Sequence, residues 1–174
     1  MTPTLRTGRL LLTPYTPADE DHFITLLADE EVCRWMGQAA ETEDVLRDLF
    51  RQIFTEVYAK NLFDVWAVWS EGHYVGHSEI KRTGNVDGHE VVCALMSEFR
   101  GRGLGTELLN AVLTYGFEEL NLTEVHGMVG SANNASLAMA RKVGFELVRE
   151  VGDGATIQKV VTLKAENLRA VQPL

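Results

Sequence analysis

Cysteine is nearly absent. The 174 residues hold two, Cys33 and Cys93, with no CxxC or Cys/His spacing around either. This excludes a disulfide framework and offers no zinc pattern. No metal is expected, and a reducing cytoplasm is the expected compartment. Long apolar runs are lacking too. The longest, Val91 to Met96, is far short of the ~20 residues of a membrane helix. Leu10-Leu11-Leu12 is too small an apolar core for a signal peptide, so neither membrane nor export is expected. Positive charge is in deficit: 16 Lys and Arg against 25 Asp and Glu leave a net charge of −9. An acidic surface repels phosphate backbones, so nucleic acid is not an expected partner. Amines and basic peptides suit such a surface better. Repeats, low-complexity tracts and Pro/Ser-rich linkers are also missing, so a single domain over residues 1–174 is expected. A hydrophobic fraction of 45% with 24% charged residues is that of a globular chain and excludes disordered, coiled-coil and collagen-like classes.

What is present is an alternation of helical and strand-like segments. Arg9 to Pro14 reads as a first strand. Thr16-Pro17-Ala18-Asp19-Glu20 starts a helix, with a capping hydroxyl, proline in the first turn and acids near the positive end of the dipole. A short helical stretch over Glu31 to Met36 stops at Gly37. Glu41 to Lys60 carries Val45, Leu49, Ile53 and Val57 at four-residue steps and predicts a helix. Phe63–Trp69, Tyr74–Lys81 and Glu90–Met96 predict successive antiparallel strands. Gly103 to Leu120 returns to helix, Val125 to Val129 to strand, and Asn133 to Val143 to a helix capped by Asn133 and stopped by Gly144. Phe145–Val151 and Thr156–Leu163 close as a strand pair around Gly152-Asp153-Gly154. The sum is an α+β domain with one mixed, mostly antiparallel sheet of about seven strands and helices on both faces.

The segment with most chemical content is Glu90 to Leu108, a strand running through Arg100-Gly101-Arg102-Gly103-Leu104-Gly105-Thr106 into an amphipathic helix. Glycines permit tight turns and close approach of a ligand to backbone amides. The first N–H groups of the helix have no internal partners, so the loop is an anion site suited to phosphate or pyrophosphate. A nucleotide P-loop would need a Lys after the glycines, and a dinucleotide fingerprint would need glycine where Thr106 stands. An NAD or ATP domain is therefore disfavoured.

A second segment, Asn133-x-x-Ser136 followed by Lys142-Val143-Gly144-Phe145, narrows the choice. Arg100-x-x-Gly103-x-Gly105 resembles the acetyl-CoA pyrophosphate loop of GNAT N-acetyltransferases, R/Q-x-x-G-x-G/A. The downstream segment is similar to that family's N-x-x-S…KxGF motif, in the same order and at matching spacing. Leu5 to Pro14, with Asp19-Glu20-Asp21, resembles the branch containing the ribosomal-protein N-terminal alanine acetyltransferases.

The resemblance implies a GNAT-like fold whose two central strands splay apart after a bulge, with acetyl-CoA as co-substrate. It implies pantetheine pairing with backbone from Cys93 to Leu95 and pyrophosphate on the amides of Arg100 to Thr106. Asn133 would bond the pantetheine or cap its helix, and Ser136 would lie near the same arm. The reaction would be direct acetyl transfer to a primary amine, a protein N-terminus or a small amine, in a ternary complex. The Leu95 N–H is the implied oxyanion donor. A neutral amine is required, and a general base helps most for lysine-like amines. Glu90, which begins the strand that ends at the loop, is the first candidate. Glu79 and His77, two residues apart and on one face of the preceding strand, are the alternatives. Many relatives place a Tyr where this chain has Ala140, so Ser136, Cys93 or water would supply any proton to the leaving thiolate. Trp35 borders the acceptor groove or simply packs. A homodimer is implied by analogy. The competing expectation is a non-catalytic acyl-CoA-binding regulatory module.

Overall fold

The structure is a computed structural model and describes residues 1–36, 39–152 and 157–169. Gly37 and the turn and strand start at 153–156 lie outside the described residues. Eight strands form one sheet in the order β1-β2-β3-β4-β5-β6-β8-β7: β1 (Leu5–Arg6), β2 (Leu11–Thr13), β3 (Asp64–Ser70), β4 (His73–Arg82), β5 (His89–Leu95), β6 (Glu124–Gly130), β7 (Glu146–Val151) and β8 (Gln158–Lys164). All neighbours are antiparallel except β5 and β6. One face carries α1 (Glu20–Leu27), α2 (Glu30–Met36) and α3 (Glu43–Gln52), and the other carries α4 (Leu104–Glu118) and α5 (Asn134–Val143). This is the predicted mixed α+β sheet with helices on both faces.

The count is eight strands rather than about seven because Leu5–Arg6, ahead of the predicted first strand at Arg9 to Pro14, forms a strand of its own that pairs with β2. The Thr7 N–H donates to the Leu10 carbonyl (2.9 Å) and the Leu10 N–H to Thr7 Oγ1 (2.9 Å). These bonds close a turn that takes Arg9 out of the strand. The capping box at Thr16 and Asp19 forms as its sequence requires, with the Thr16 N–H donating to Asp19 Oδ2 at 2.7 Å.

The predicted stripe on α3 is corrected. Val45 and Leu49 are exposed, while Leu46, Phe50, Ile53 and Val57 are buried. Strict four-residue steps drift around a helix of ~3.6 residues per turn, whereas a 4-3-4 spacing stays on one face. The helix also widens to π-helical geometry over Ile53–Tyr58.

The two central strands do splay, though not after a bulge in β5. β4 and β5 pair regularly from Gly76↔Leu95 to Arg82↔His89. The irregularity lies one strand earlier, where Val68↔Gly76 is followed by Trp69↔Tyr74 and Val75 is the extra residue. The splay comes from β6, which pairs with β8 from Glu124↔Lys164 to Gly130↔Gln158 but meets β5 only at Glu90↔His126.

Close approach of β4 and β5 beside the splay depends on Gly76, where an added Cβ would run into the Ala94 carbonyl oxygen and the Leu95 side chain. Gly76→Ala is expected to lower unfolding free energy in urea by about 2 kcal/mol. Gly130→Ala, where a Cβ meets nothing within 4 Å, is expected to change it by less than ~0.5 kcal/mol.

Candidate active site

N–H and C=O groups alternate between the two edges of an antiparallel strand. The Met96 N–H donates to the Val75 carbonyl on β4 (3.0 Å), so the backbone groups of Cys93 and Leu95 point the other way, into the gap β6 has left. Their side chains lie on the α4 face, while Ala94 and Met96 lie on the α1–α3 face. The gap thus leaves the Cys93 backbone groups and the Leu95 N–H without a strand partner, while the Leu95 carbonyl is taken by Arg100 Nε (3.1 Å).

The loop after β5 is built as an anion cradle. Gly101 and Gly103 have φ of +74° and +78°, and Gly103 is the N-cap of α4. A residue with a Cβ is strained at such φ. The first helical bond runs from the Glu107 N–H to the Gly103 carbonyl (3.2 Å), so the N–H groups of Leu104, Gly105 and Thr106 precede it. Leu104 is buried, Thr106 is partly buried, and Gly101 and Arg102 are exposed. The N-terminal hairpin holds this loop in place. Arg9 Nη1 donates to the Arg102 carbonyl (2.8 Å). Its Nε and backbone N–H donate to the two oxygens of Glu107 (2.7 and 2.8 Å), and Thr7 Oγ1 adds a bond of 2.6 Å. Burial opposes ionisation of Glu107, but the bonds from Thr7 and Arg9 outweigh it and lower its pKa. Arg100 does not point along the cradle. Its Nε donates to the Leu95 carbonyl (3.1 Å) and its Nη1 to Glu31 (3.2 Å).

Across the gap, Asn133 comes after β6 and caps α5, its Oδ1 accepting from the Ser136 N–H at 3.0 Å. Its Nδ2 donates to the Trp35 carbonyl (3.3 Å). Ser136 stands in the first turn of α5. Ala140 is buried in the core beneath α4 and α5.

The three candidate bases are in different situations. Glu90 is buried and bonded by Thr83 Oγ1 (2.9 Å) and Asn85 Nδ2 (3.4 Å). It sits five residues before Leu95, roughly 17 Å along the strand at ~3.3 Å per residue. Its strand position therefore does not bring it to the Leu95 end. His77 stands opposite Ala94 and is 2% exposed. Its Nε2 contacts Glu79 Oε1 (3.0 Å), and its Nδ1 contacts the Tyr15 hydroxyl (2.9 Å), which in turn meets the Tyr74 hydroxyl (2.9 Å). Glu79 also pairs with Lys81. Burial works against the Glu79 charge, but the His77 bond and the charges of His77 and Lys81 prevail and bring its pKa down to about 2. Burial pushes the Cys93 thiol up to about 12, against a weaker opposing bond from Ser78. Among the described residues no cluster of three or more His, Cys, Asp or Glu is placed to hold a metal, and no helix is long and apolar enough to cross a membrane.

The Acetyltransferase (GNAT) domain family matches residues 9–146. The chain belongs to the GNAT acetyltransferase family. The chain spans about 65% of the length of the first curated relative below and 24% of that of the human alpha/beta-tubulin-N-acetyltransferase 9. Among curated relatives, it is 28% identical over 152 residues to FsC-acetyl coenzyme A-N(2)-transacetylase of Aspergillus fumigatus, covering 82% of this chain and 65% of that protein. It is 25% identical over 134 residues to spermidine N(1)-acetyltransferase of Escherichia coli, covering 71% and 72% of the two chains. Among solved structures, the spermidine N-acetyltransferase from Vibrio cholerae in complex with CoA and spermine superposes with a TM-score of 0.79 at 18% identity, covering 92% of this chain and 98% of that one. The ribosomal-protein-S5-alanine acetyltransferase from Vibrio fischeri gives 0.76 at 15%, covering 96% and 99%. These structural likenesses speak to the fold.

Within this GNAT domain the structure brings together residues the sequence did not connect. Tyr15 and Tyr74 join His77, Glu31 joins Arg100, and Arg9 joins Glu107. None has a spacing signal. Only the unusual density of polar residues on β4 hinted at a buried network.

The Glu79 ion pairs make stability depend on acid. The carboxyl titrates near 4.5 when free and near 2 in the fold, so its contribution is complete above pH 4.5 and is lost as pH falls towards 2. Replacement by Gln is expected to cost up to ~3 kcal/mol near neutrality. The difference between wild type and Glu79→Gln should shrink steadily below pH 4.5 in urea melts. A pH-independent difference would remove the charge explanation.

Proposed function

We propose that the protein transfers the acetyl group of acetyl-CoA to a primary amine, a polyamine or a protein N-terminus, by direct attack. The observation that carries this is the open edge of β5 at Cys93 and Leu95 leading, through one 3-10 turn at Ser97–Phe99, into the Gly101–Thr106 cradle. An extended amide chain ending in a pyrophosphate fits that sequence of groups. Acetyl-CoA supplies an acyl carbon activated as a thioester. The Cys93 and Leu95 backbone would bind the amide arm, and the amides of Leu104 to Thr106 the pyrophosphate. Asn133 and Ser136 would border the arm from the β6 side. The Leu95 N–H would donate to the acyl oxygen as charge develops there.

Deprotonation of the amine is assigned to His77. Glu90 stands at the wrong end of β5, and Glu79, ionised down to about pH 2, is too weak a base to take an ammonium proton. It instead orients the His77 ring. With a proton on Nε2 facing Glu79, Nδ1 can accept through Tyr15. As the new C–N bond forms and the C–S bond breaks, the electron pair leaves on sulfur. Burial, which pushes the Cys93 thiol up to about 12, makes it a poor proton donor to a thiolate of pKa ~8.5, so the thiolate leaves unprotonated or takes its proton from Ser136 or water. Ala140 is compatible with either route.

The net charge of −9 favours a cationic acceptor, as does likeness to a spermidine acetyltransferase. The ribosomal-protein branch rests on the N-terminal motif and a distant structural neighbour.

Calorimetry with acetyl-CoA is expected to give one-to-one micromolar binding, and amine-dependent thiol release should accompany it with polyamines or N-terminal peptides. No binding by folded protein would overturn the reading. Binding without thiol release across both acceptor classes would favour a non-catalytic module. His77→Gln is expected to lower kcat by about 10²-fold or more and flatten the pH–rate profile. Glu90→Gln should leave kcat within about twofold.

A further inference from the structure

α2 lies across the mouth of the gap and touches the segments that leave both splayed strands. Its start is fixed by Asp29, whose Oδ1 accepts from the N–H groups of Glu31 (2.8 Å) and Val32 (3.1 Å). Val32 and Cys33 are buried beneath it. On the β5 side, Glu31 Oε1 accepts from Arg100 Nη1 (3.2 Å) and from Trp35 Nε1 (3.4 Å). On the β6 side, the Trp35 carbonyl accepts from Asn133 Nδ2 (3.3 Å). Both partners of α2 are thus residues of the two acetyl-CoA motifs.

Arg100 has a second bond that gives this contact a consequence. The Leu95 carbonyl, on a partly buried residue, faces the gap, where β6 offers it no partner. Arg100 Nε supplies one at 3.1 Å. A guanidinium with five donors on a flexible stem adopts this pose only if its other end is held. Glu31, with a half-exposed side chain, is the carboxylate that holds it. The chain Glu31–Arg100–Leu95 therefore sets the backbone of the residue whose N–H faces the acyl oxygen.

We propose that Glu31 is a positioning residue: it holds Arg100 on the Leu95 carbonyl, fixing the strand end at the reacting carbon and strapping α2 across the gap, so that it governs the rate of transfer rather than the affinity for acetyl-CoA. The role in transfer rests on the acetyltransferase reading of the site. Arg100, on this account, is a strut within the protein and not a phosphate ligand.

Two measurements on the full chain decide it. The first is hydrogen exchange of wild type, Glu31→Ala and Glu31→Gln, which needs no activity. Exchange over α2 and over residues 95–100 is expected to be about tenfold faster in Glu31→Ala, with an unchanged melting temperature, and close to wild type in Glu31→Gln, which keeps an oxygen acceptor. The second is a comparison of kcat with the acetyl-CoA dissociation constant from calorimetry. Glu31→Ala is expected to lower kcat about tenfold, the scale of a small misplacement at a reacting centre, with affinity within about twofold and partial rescue by Gln. Unchanged exchange in Glu31→Ala overturns the strut. Unchanged kcat, or an affinity loss as large as the loss in kcat, overturns its role in transfer. A wild type that neither binds acetyl-CoA nor releases thiol overturns the acetyltransferase reading of the site instead, and the exchange result still judges the strut.

Discussion

Glu90 and His126 are the partners at the single bridge between β5 and β6, and the site is created by the divergence of the strands beyond them. Sheets normally satisfy backbone groups strand to strand. Here β6 is committed along its length to β8, and β5 along its length to β4. Each strand therefore keeps one satisfied edge, and the divergence leaves only the inner edges open. A break in an isolated parallel pair would cost stability without return. Flanked by two complete antiparallel ladders, the break is held between paired strands and leaves backbone donors and acceptors facing the gap.

The loop after β5 is determined from both sides of this gap. Two left-handed glycines turn the chain so that the free amides at the start of α4 face back to the strand end. Left alone, such a loop would be mobile, since glycine carries the largest backbone entropy. The Arg9–Glu107 pair anchors it from the hairpin, and Arg100 ties its beginning to Leu95. Arg9 and Arg100 thereby spend their charge on carboxylates and carbonyls, and the backbone amides at the start of α4 remain as free donors on the loop. Phosphate binding by backbone tolerates an acidic protein because the binding groups carry no side chain to be neutralised.

What the sequence revealed and what it hid divide along contact range. The cradle was legible because positive φ calls for glycine and an N-cap for Asn, requirements met within a few residues at Gly101, Gly103 and Asn133. The strands and helices, and the antiparallel neighbours β3, β4 and β5 and the closing pair β7 and β8, were legible from alternating strand and helix patterns. The two-strand hairpin was not, because Thr7 closes its turn with a side-chain bond that no propensity encodes. Glu31 and Arg100 are 69 positions apart, Tyr15 and His77 62, and Arg9 and Glu107 98. Pairs so distant leave no periodic trace in a single sequence. For Glu90 the sequence shows only its place at the start of the loop-bearing strand, and that place sets it five residues from Leu95.

The polar network on β4 shows why burial and chemistry coincide in this fold. His77, Glu79 and Lys81 alternate onto the face covered by α1 and α3, where an apolar residue would pack without desolvating charge. A buried ion pair often adds little net stability over such residues, so stability alone gives no reason for three ionisable side chains in a row. The partners are, however, fully satisfied, running from Tyr74 through Tyr15 and His77 to Glu79 and Lys81. Such a chain fixes the ring of His77 in one orientation and its proton on one nitrogen. It also runs from the interior beneath exposed His22, stacked on Tyr74, out to a partly exposed lysine. For the base proposed above, that chain supplies a charged partner in Glu79 and polar neighbours on both ring nitrogens, which an apolar core would not.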